Sequence, residues 1–285
     1  MDDYESFKKA VYSLTKIDLS SYKEKQMRRR IDSLVRKRKC ASYDAYVKLL
    51  KSDPVVFEEF VNFLTINVSE FYRNPEQWDL LIREFVPELI KKFGTNLHIW
   101  SAACSTGDEP YSLVMALSKH LDLSKIKITA TDIDKQVIAT AKVGLYSEKS
   151  IANVPDEFKR KYFTKVGNSY QISEQIKKCV DFREHNLLSD PYPRDCHMIV
   201  CRNVLIYFTE EAKNEVYEKF AKSLKDGGIL FIGSTEQVTD YKGMGYKLDI
   251  LSTTKKVRNK IKILTSFGRL GSFCIKNTQF RRQEM

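Results

Sequence analysis

The sequence predicts an α/β protein in two parts: an all-helical N-terminal domain, then a parallel sheet with helices on both faces and a small β-subdomain. Three observations lead there. Residues 1–66 carry helical periodicity throughout. From residue 96, short apolar runs alternate with helical stretches, the pattern left by parallel strands joined through crossover helices. Residues 147–180 break that alternation with Pro155, Gly167 and a hairpin-like YFTKVGNSYQIS, which reads as an insertion on one sheet edge.

In the first part, ESFKKAVYSL, a basic stretch from Lys23 to Lys39, SYDAYVKLL and DPVVFEEFVNFLT each read as a helix. Asp53 is placed as the N-cap of the last, with Pro54 at the first helical position. Met27, Ile31, Leu34 and Val35 recur at helical spacing in the basic stretch, so one face is apolar and the other strongly positive. Residues 67–95 link the two parts, and Asn74 with Pro75 opens a further helix. The strands that follow are LHIWSA, KITATDID, CVDFREHNLL, HMIVCRN and GGILFIGST; the helices are EPYSLVMALSKHL, DKQVIATAKVGLY and EEAKNEVYEKFAKSLK. This second domain spans 96–240, and residues 241–285 are set apart as an atypical basic segment.

Composition narrows the function classes. At 285 residues, with 42% hydrophobic and 12% aromatic residues, the chain has ample material for a core and exceeds the usual single-domain size. The start, MDDYESFKK, has no apolar leader core, and no run approaches the ~18 apolar residues of a membrane span. A soluble cytoplasmic protein without stable membrane insertion is expected. Six scattered cysteines with no C-x-x-C pair and only four histidines indicate neither a zinc site nor a disulfide framework. The net charge of +11 points to nucleic acid until it is located: residues 242–285 hold eleven Lys or Arg against Asp249 and Glu284, leaving little for the rest. Nucleic acid is therefore not expected as the partner.

The stretch IWSAACSTGDEPYSLVMAL carries the first chemistry. Its CSTGDEP turn follows the first strand, where open parallel sheets bind ligands. A dinucleotide site would show three glycines there; this turn has only Gly107, and Asp108 and Glu109 follow where they would repel a phosphate. No Gly-Lys-Ser/Thr follows, so it is not a phosphate-binding P-loop. The turn suits a cofactor with positive charge and no phosphate, and S-adenosylmethionine has an ammonium and a sulfonium on an adenosine. Charge complementarity at a helix start, ~0.3–1 kcal/mol per acid, would explain either carboxylate alone. The second strand adds Asp132 at its end, an acid placed to accept from ribose hydroxyls, while Asp134 is placed to cap the next helix. Together these features point to a class I, Rossmann-like methyltransferase.

Longer motifs identify the acceptor. NVSEFYRN (67–74), IWSAACSTGDEPYSL (99–113), ATDID (130–134), HNLL (185–188), IVCRNVLIYF (199–208) and GGILFIGSTEQ (227–237) stand in the order and spacing of the chemotaxis receptor glutamate methyltransferases. The chain closely resembles that CheR-type family from roughly residue 5 to 240. The resemblance implies a helical domain, a linker and a class I methyltransferase domain with a β-subdomain. The implied reaction takes a methyl from S-adenosylmethionine to glutamate side chains of methyl-accepting chemotaxis receptors, leaving S-adenosylhomocysteine. It also implies roles: Asn67, Ser69 and Arg73 at the cofactor, Gly107 and Glu109 at the turn with Glu109 near the methionine ammonium, and Asp132 on the ribose. Asn186 and Leu187 are expected to flank the adenine, Arg202 and Asn203 the methionine end, and Tyr207 the transferred methyl. Arg73 and Tyr207 are the catalytic candidates, and no metal is implied.

That chemistry needs no base. A glutamate of pKa ≈ 4.3 is already the attacking anion near pH 7, so the protein must align it and strip its water. A guanidinium such as Arg73 makes paired hydrogen bonds to a carboxylate. The Lys23–Lys39 face is expected to dock on the acidic methylation helices of the receptor. Two rivals stand beside this reading. A base-modifying amino methyltransferase would show Asn/Asp-Pro-Pro-Tyr where this chain has Cys-Arg-Asn-Val, and a receptor-binding adaptor would not need Arg73, Glu109, Asp132 and Tyr207. After residue 241 the sequence departs from the family's closing pattern. It reads as an added nucleic-acid- or membrane-surface-binding segment, a disordered extension or the product of an altered reading frame.

Overall fold

In the helical domain, side-chain caps start the third and fourth helices. The computed structural model describes residues 3–250 and 261–265, and its first helices are α1 (Asp3–Thr15), α2 (Glu24–Lys37), α3 (Tyr43–Ser52) and α4 (Pro54–Thr65). As expected, Asp53 caps α4, accepting from the amides of Val55 and Val56, with Pro54 where no amide is needed. Each helix buries one stripe, for example Phe7 and Val11 of α1, Ile31 and Leu34 of α2, Leu50 of α3 and Phe60 of α4. Phe7 and Tyr46 both meet Phe60 edge-on, at 6.2 and 5.8 Å between ring centres, the geometry the ring quadrupole favours.

The positive face of α2 is narrower than its sequence suggests. Arg30 turns inward, donating to the Phe63 carbonyl at 2.5 Å and lying 4.3 Å over the Phe63 ring. Lys37 and Arg38 both pair with Glu59, and Arg28 sits over Tyr4. Lys25, Arg29, Arg36 and Lys39 remain exposed.

Beyond the linker, α5 (Pro75–Leu80), a π-turn (Leu81–Phe85) and α6 (Val86–Phe93) lead into the sheet. Asn74 precedes α5 as expected but makes no side-chain cap. The elements that follow are β1 (Ile99–Ala102), α7 (Asp108–Leu117), β2 (Ile128–Asp132), α8 (Lys135–Val143), β3 (Leu145–Ser147), α9 (Asp156–Tyr162), β4 (Phe163–Val166), β5 (Ser169–Ile172), α10 (Glu174–Lys177) and β6 (Val180–Glu184). The chain continues through β7 (Cys196–Cys201), α11 (Glu210–Ser223), β8 (Leu224–Ile232), β9 (Tyr246–Ile250) and β10 (Ile261–Thr265). The main sheet runs β6-β2-β1-β7-β8-β10-β9 with all neighbours parallel. Every residue of β1 and β7 is buried, as strands covered on both faces must be.

Two boundaries differ from the sequence expectation. The helix expected to reach Tyr146 stops at Val143, because Gly144 caps it in the left-handed conformation (φ +72°). Residues 145–147 then pair with β5, and β4–β5 form the expected hairpin, giving an antiparallel β3-β5-β4 sheet. The main sheet also draws β9 and β10 from beyond residue 240. Alternation in YKLDI and IKILT is the strand signal there, and the segment's basic charge hid it. Buried Tyr246 anchors the start of β9, its hydroxyl donating to the Tyr217 carbonyl at 2.7 Å. The remainder of the basic segment and Cys274 lie outside the described residues. Among those described, five cysteines are unpaired, and no helix is long and apolar enough to cross a membrane.

Candidate functional site

β1 has β2 on one side and β7 on the other, so the chain reverses its winding direction at β1. The carboxyl ends of such strands splay and leave a crevice. A cleft of about 990 Å³, open mouth included, lies there. Its walls are the residues directly after β1, β2, β6 and β7, completed by Leu64–Glu70, Arg73 and Tyr22. Asn67, Ser69, Arg73, Glu109, Asp132, Asn186, Leu187, Arg202, Asn203 and Tyr207 all line it.

Gly107 is not on that wall. It precedes α7 at φ +89°, and a Cβ there would stand 2.9 Å from the Ala141 Cβ and 3.2 Å from the Tyr146 hydroxyl. Its smallness lets the turn pack against α8 and β3. Ala103 and Ser105 in the same turn, and Ile66 and Asn203 elsewhere on the cleft, also have positive φ. Non-glycine residues held there carry strain of order 1–3 kcal/mol each, which folds tolerate chiefly at functional sites.

The acids divide their work. Asp108, almost fully buried, accepts from Thr106 Oγ1 at 2.6 Å and from the Ser69 hydroxyl, so it braces the turn and holds the linker. Glu109 faces the cleft and accepts from Ser101 Oγ at 2.8 Å. Burial pushes its carboxyl up to about 7, against the opposing pull of Arg202. Asp132 accepts from the Ser105 and Asp134 amides at 2.8 and 3.0 Å, and burial raises it to about 6 despite those bonds. Asp134 caps α8 as expected, and also accepts from the Asn67 side-chain nitrogen at 2.8 Å. Asn67 thus ties the linker to the sheet while lining the cleft.

Arg202 braces Arg73. It packs against both Trp78 and Phe231, 5.6 and 4.8 Å from their ring centres, and donates to the Arg73 carbonyl at 2.8 Å, to Asn74 Oδ1 at 3.2 Å and to Gln77. The Arg73 guanidinium is left without a hydrogen bond among the described residues. Tyr207 ends a single 3-10 turn (Leu205–Tyr207) after β7. The helical domain grips that turn: Lys23 Nζ donates to the Ile206 carbonyl and the Thr209 amide to the Ser21 carbonyl, each at 2.9 Å, while Tyr22 meets Phe208 edge-on. At the other end Asn186 donates weakly to the Lys16 carbonyl at 3.3 Å.

Comparison with known proteins agrees with this geometry. The family model "CheR methyltransferase, SAM binding domain" matches residues 67–255, and "CheR methyltransferase, all-alpha domain" matches residues 2–65. The chain belongs to the CheR methyltransferase family. Among curated relatives, chemotaxis protein methyltransferases of Listeria innocua and Listeria monocytogenes are 41% and 42% identical over 236 residues, 83% of this chain and 90% of each of those proteins. One from Borreliella burgdorferi is 31% identical over 86% of this chain and 91% of its own length.

This CheR-family chain is an S-adenosylmethionine-dependent methyltransferase, and its cleft carries unspent polar groups suited to that cofactor. Four buried side-chain atoms on the wall have no partner among the described residues: Ser105 Oγ, His185 Nδ1, Arg202 Nε and Asn203 Oδ1. Donors and acceptors are both present, as an amino-acid end and a nucleoside end require. Sequence reasoning assigned no role to Tyr22, Ile133 and His185, which also line the cleft. Ile133 and His185 lie within the ATDID and HNLL motifs beside Asp132 and Asn186, so the signal was available. Tyr22 had none, since only tertiary folding brings it to the cleft.

Proposed function

We propose that this chain esterifies glutamate side chains of chemotaxis receptors in the cytoplasm, with the exposed face of α2 docking on their acidic methylation helices. When bound, S-adenosylmethionine supplies an electrophilic methyl on a sulfonium. Glu109 would hold its ammonium, Asp132 its ribose hydroxyls, Asn186 and Leu187 its adenine, and Arg202 and Asn203 its methionine end. Arg73 receives the acceptor carboxylate through paired hydrogen bonds, and Tyr207 aligns that carboxylate beside the methyl. The carboxylate is already ionised near pH 7, so no proton has to be removed.

One observation carries the reading: Arg73, with its guanidinium uncommitted, and Tyr207 line the same cleft as Glu109 and Asp132. Lys25, Arg29, Arg36 and Lys39 supply a positive face whose attraction to an acidic helix weakens with salt. The test is transfer of labelled methyl to receptor-containing membranes, followed by mild alkali and counting of volatile methanol. Alkali-labile counts on receptor-sized protein are expected. Alkali-stable counts would mean a different acceptor, and cofactor binding without transfer would favour the adaptor.

A further inference from the structure

Glu236 is a carboxylate only 3% exposed, and none of the roles above employs it. Four backbone amides converge on it. Oε2 accepts from Asn203 at 2.7 Å and from Gly233 at 2.8 Å, and Oε1 accepts from Val204 at 3.1 Å and Leu205 at 2.9 Å. Three of those donors are consecutive and open the turn that ends in Tyr207. The first amides of a helical turn have no partner within it, so a buried turn of this kind needs an acceptor from elsewhere. Asn203, held at φ +61°, lines the cleft and has a buried side-chain oxygen with no partner among the described residues.

We infer that Glu236 is a positioning residue for methyl transfer, whose carboxylate sets the Asn203–Tyr207 turn in the cleft by gathering its main-chain amides. The assignment rests on the reading of Tyr207 given above. Only donors face the carboxylate, so a glutamine would turn its own NH2 toward two of them and lose both bonds. Gly233 supplies the space: a Cβ there would stand 2.8 Å from Glu236 Oε2 and 2.9 Å from Asn203 Nδ2. These contacts are all side-chain atoms, so Gly233→Ala displaces the Glu236 carboxylate together with the Asn203 amide, without changing charge or obstructing backbone, and saturating cofactor offsets the part that acts through Asn203.

The experiment measures receptor methylation by the full chain at saturating cofactor, with Glu236→Gln, Gly233→Ala, Tyr207→Phe and the Glu236→Gln/Tyr207→Phe double variant. Glu236→Gln is expected to lower kcat about tenfold or more, and Gly233→Ala about threefold or more in the same direction. The double variant should be no more than about threefold slower than Tyr207→Phe alone, because the charge acts through the turn that carries the hydroxyl. If Glu236→Gln fails to fold, Gly233→Ala carries the same comparison in the Tyr207→Phe background. Unchanged kcat in either folded variant, or losses that multiply fully, would overturn the assignment while leaving receptor esterification intact. A parent chain that binds S-adenosylhomocysteine but forms no ester would overturn both.

Discussion

The Lys23 amide donates to the Tyr207 carbonyl at 2.9 Å. Lys23 is the residue before basic helix α2, and Tyr207 ends the turn facing the cleft, so a main-chain hydrogen bond ties the start of α2 to that turn. At Lys23 φ is −58° and Tyr22 is extended, so proline matches the backbone dihedrals there, but it removes the amide donor and sets its Cδ against the Tyr207 carbonyl. Lys23→Pro should lower receptor-methylation kcat about tenfold or more, because the ring pushes the Tyr207 turn away as well as removing the bond. Lys23→Met, which keeps the amide and loses Nζ, should cost less; equal losses would assign the effect to the side chain.

Tyr207→Phe should lower kcat about tenfold or more while the Kd for S-adenosylhomocysteine, read by calorimetry, stays within about twofold. Equal loss of both would move Tyr207 from the methyl to the cofactor.

Arg29 and Arg30 are adjacent in sequence but should separate in effect. Arg29 is exposed, so Arg29→Glu should raise the receptor KM about three- to tenfold at low salt and less at high salt, without changing cofactor affinity. Arg30 is bound to Phe63, so Arg30→Glu should cost about 1–3 kcal/mol of stability, read as a lower Tm.

With Glu109 at the cofactor ammonium as proposed, binding takes on a pH dependence of definite sign. The Glu109 carboxyl is raised to about 7 from 4.5, so between those values the unfolded chain releases a proton that the fold retains, and stability falls as pH rises through that window. An ammonium prefers the ionised form, so S-adenosylhomocysteine affinity should rise about eight- to tenfold from pH 6 to 8 and then level. Asp132, raised to about 6, steepens the loss below that pH. Titration calorimetry on Glu109→Gln should show the rise between pH 6 and 8 cut to about twofold or less, the part Asp132 supplies.

Gly107→Ala tests the turn apart from the ligand. Its positive φ and the 2.9 Å approach to Ala141 should make the substitution cost about 2 kcal/mol, a Tm loss of roughly 4–8 °C. An unchanged Tm would show that α8 yields.

What the sequence determined was local or repeated: the Asp53–Pro54 cap, the alternation of strands and helices, the acid that ends β2, and motifs whose spacing names the family. These depend on neighbours within a few residues, or on patterns the chain states outright. Tertiary structure decided which way each side chain faces and what it meets. Asp108 and Glu109 are adjacent, yet one is buried as a brace and the other reaches the cleft, because a helical turn points consecutive residues about 100° apart. Arg202 became a brace for Arg73, and Glu236 a cradle for the Tyr207 turn, through contacts spanning 129 residues and about thirty residues of chain. The hydrogen bonds that decide those roles run between elements joined only by folding, so no window along the chain contains both partners.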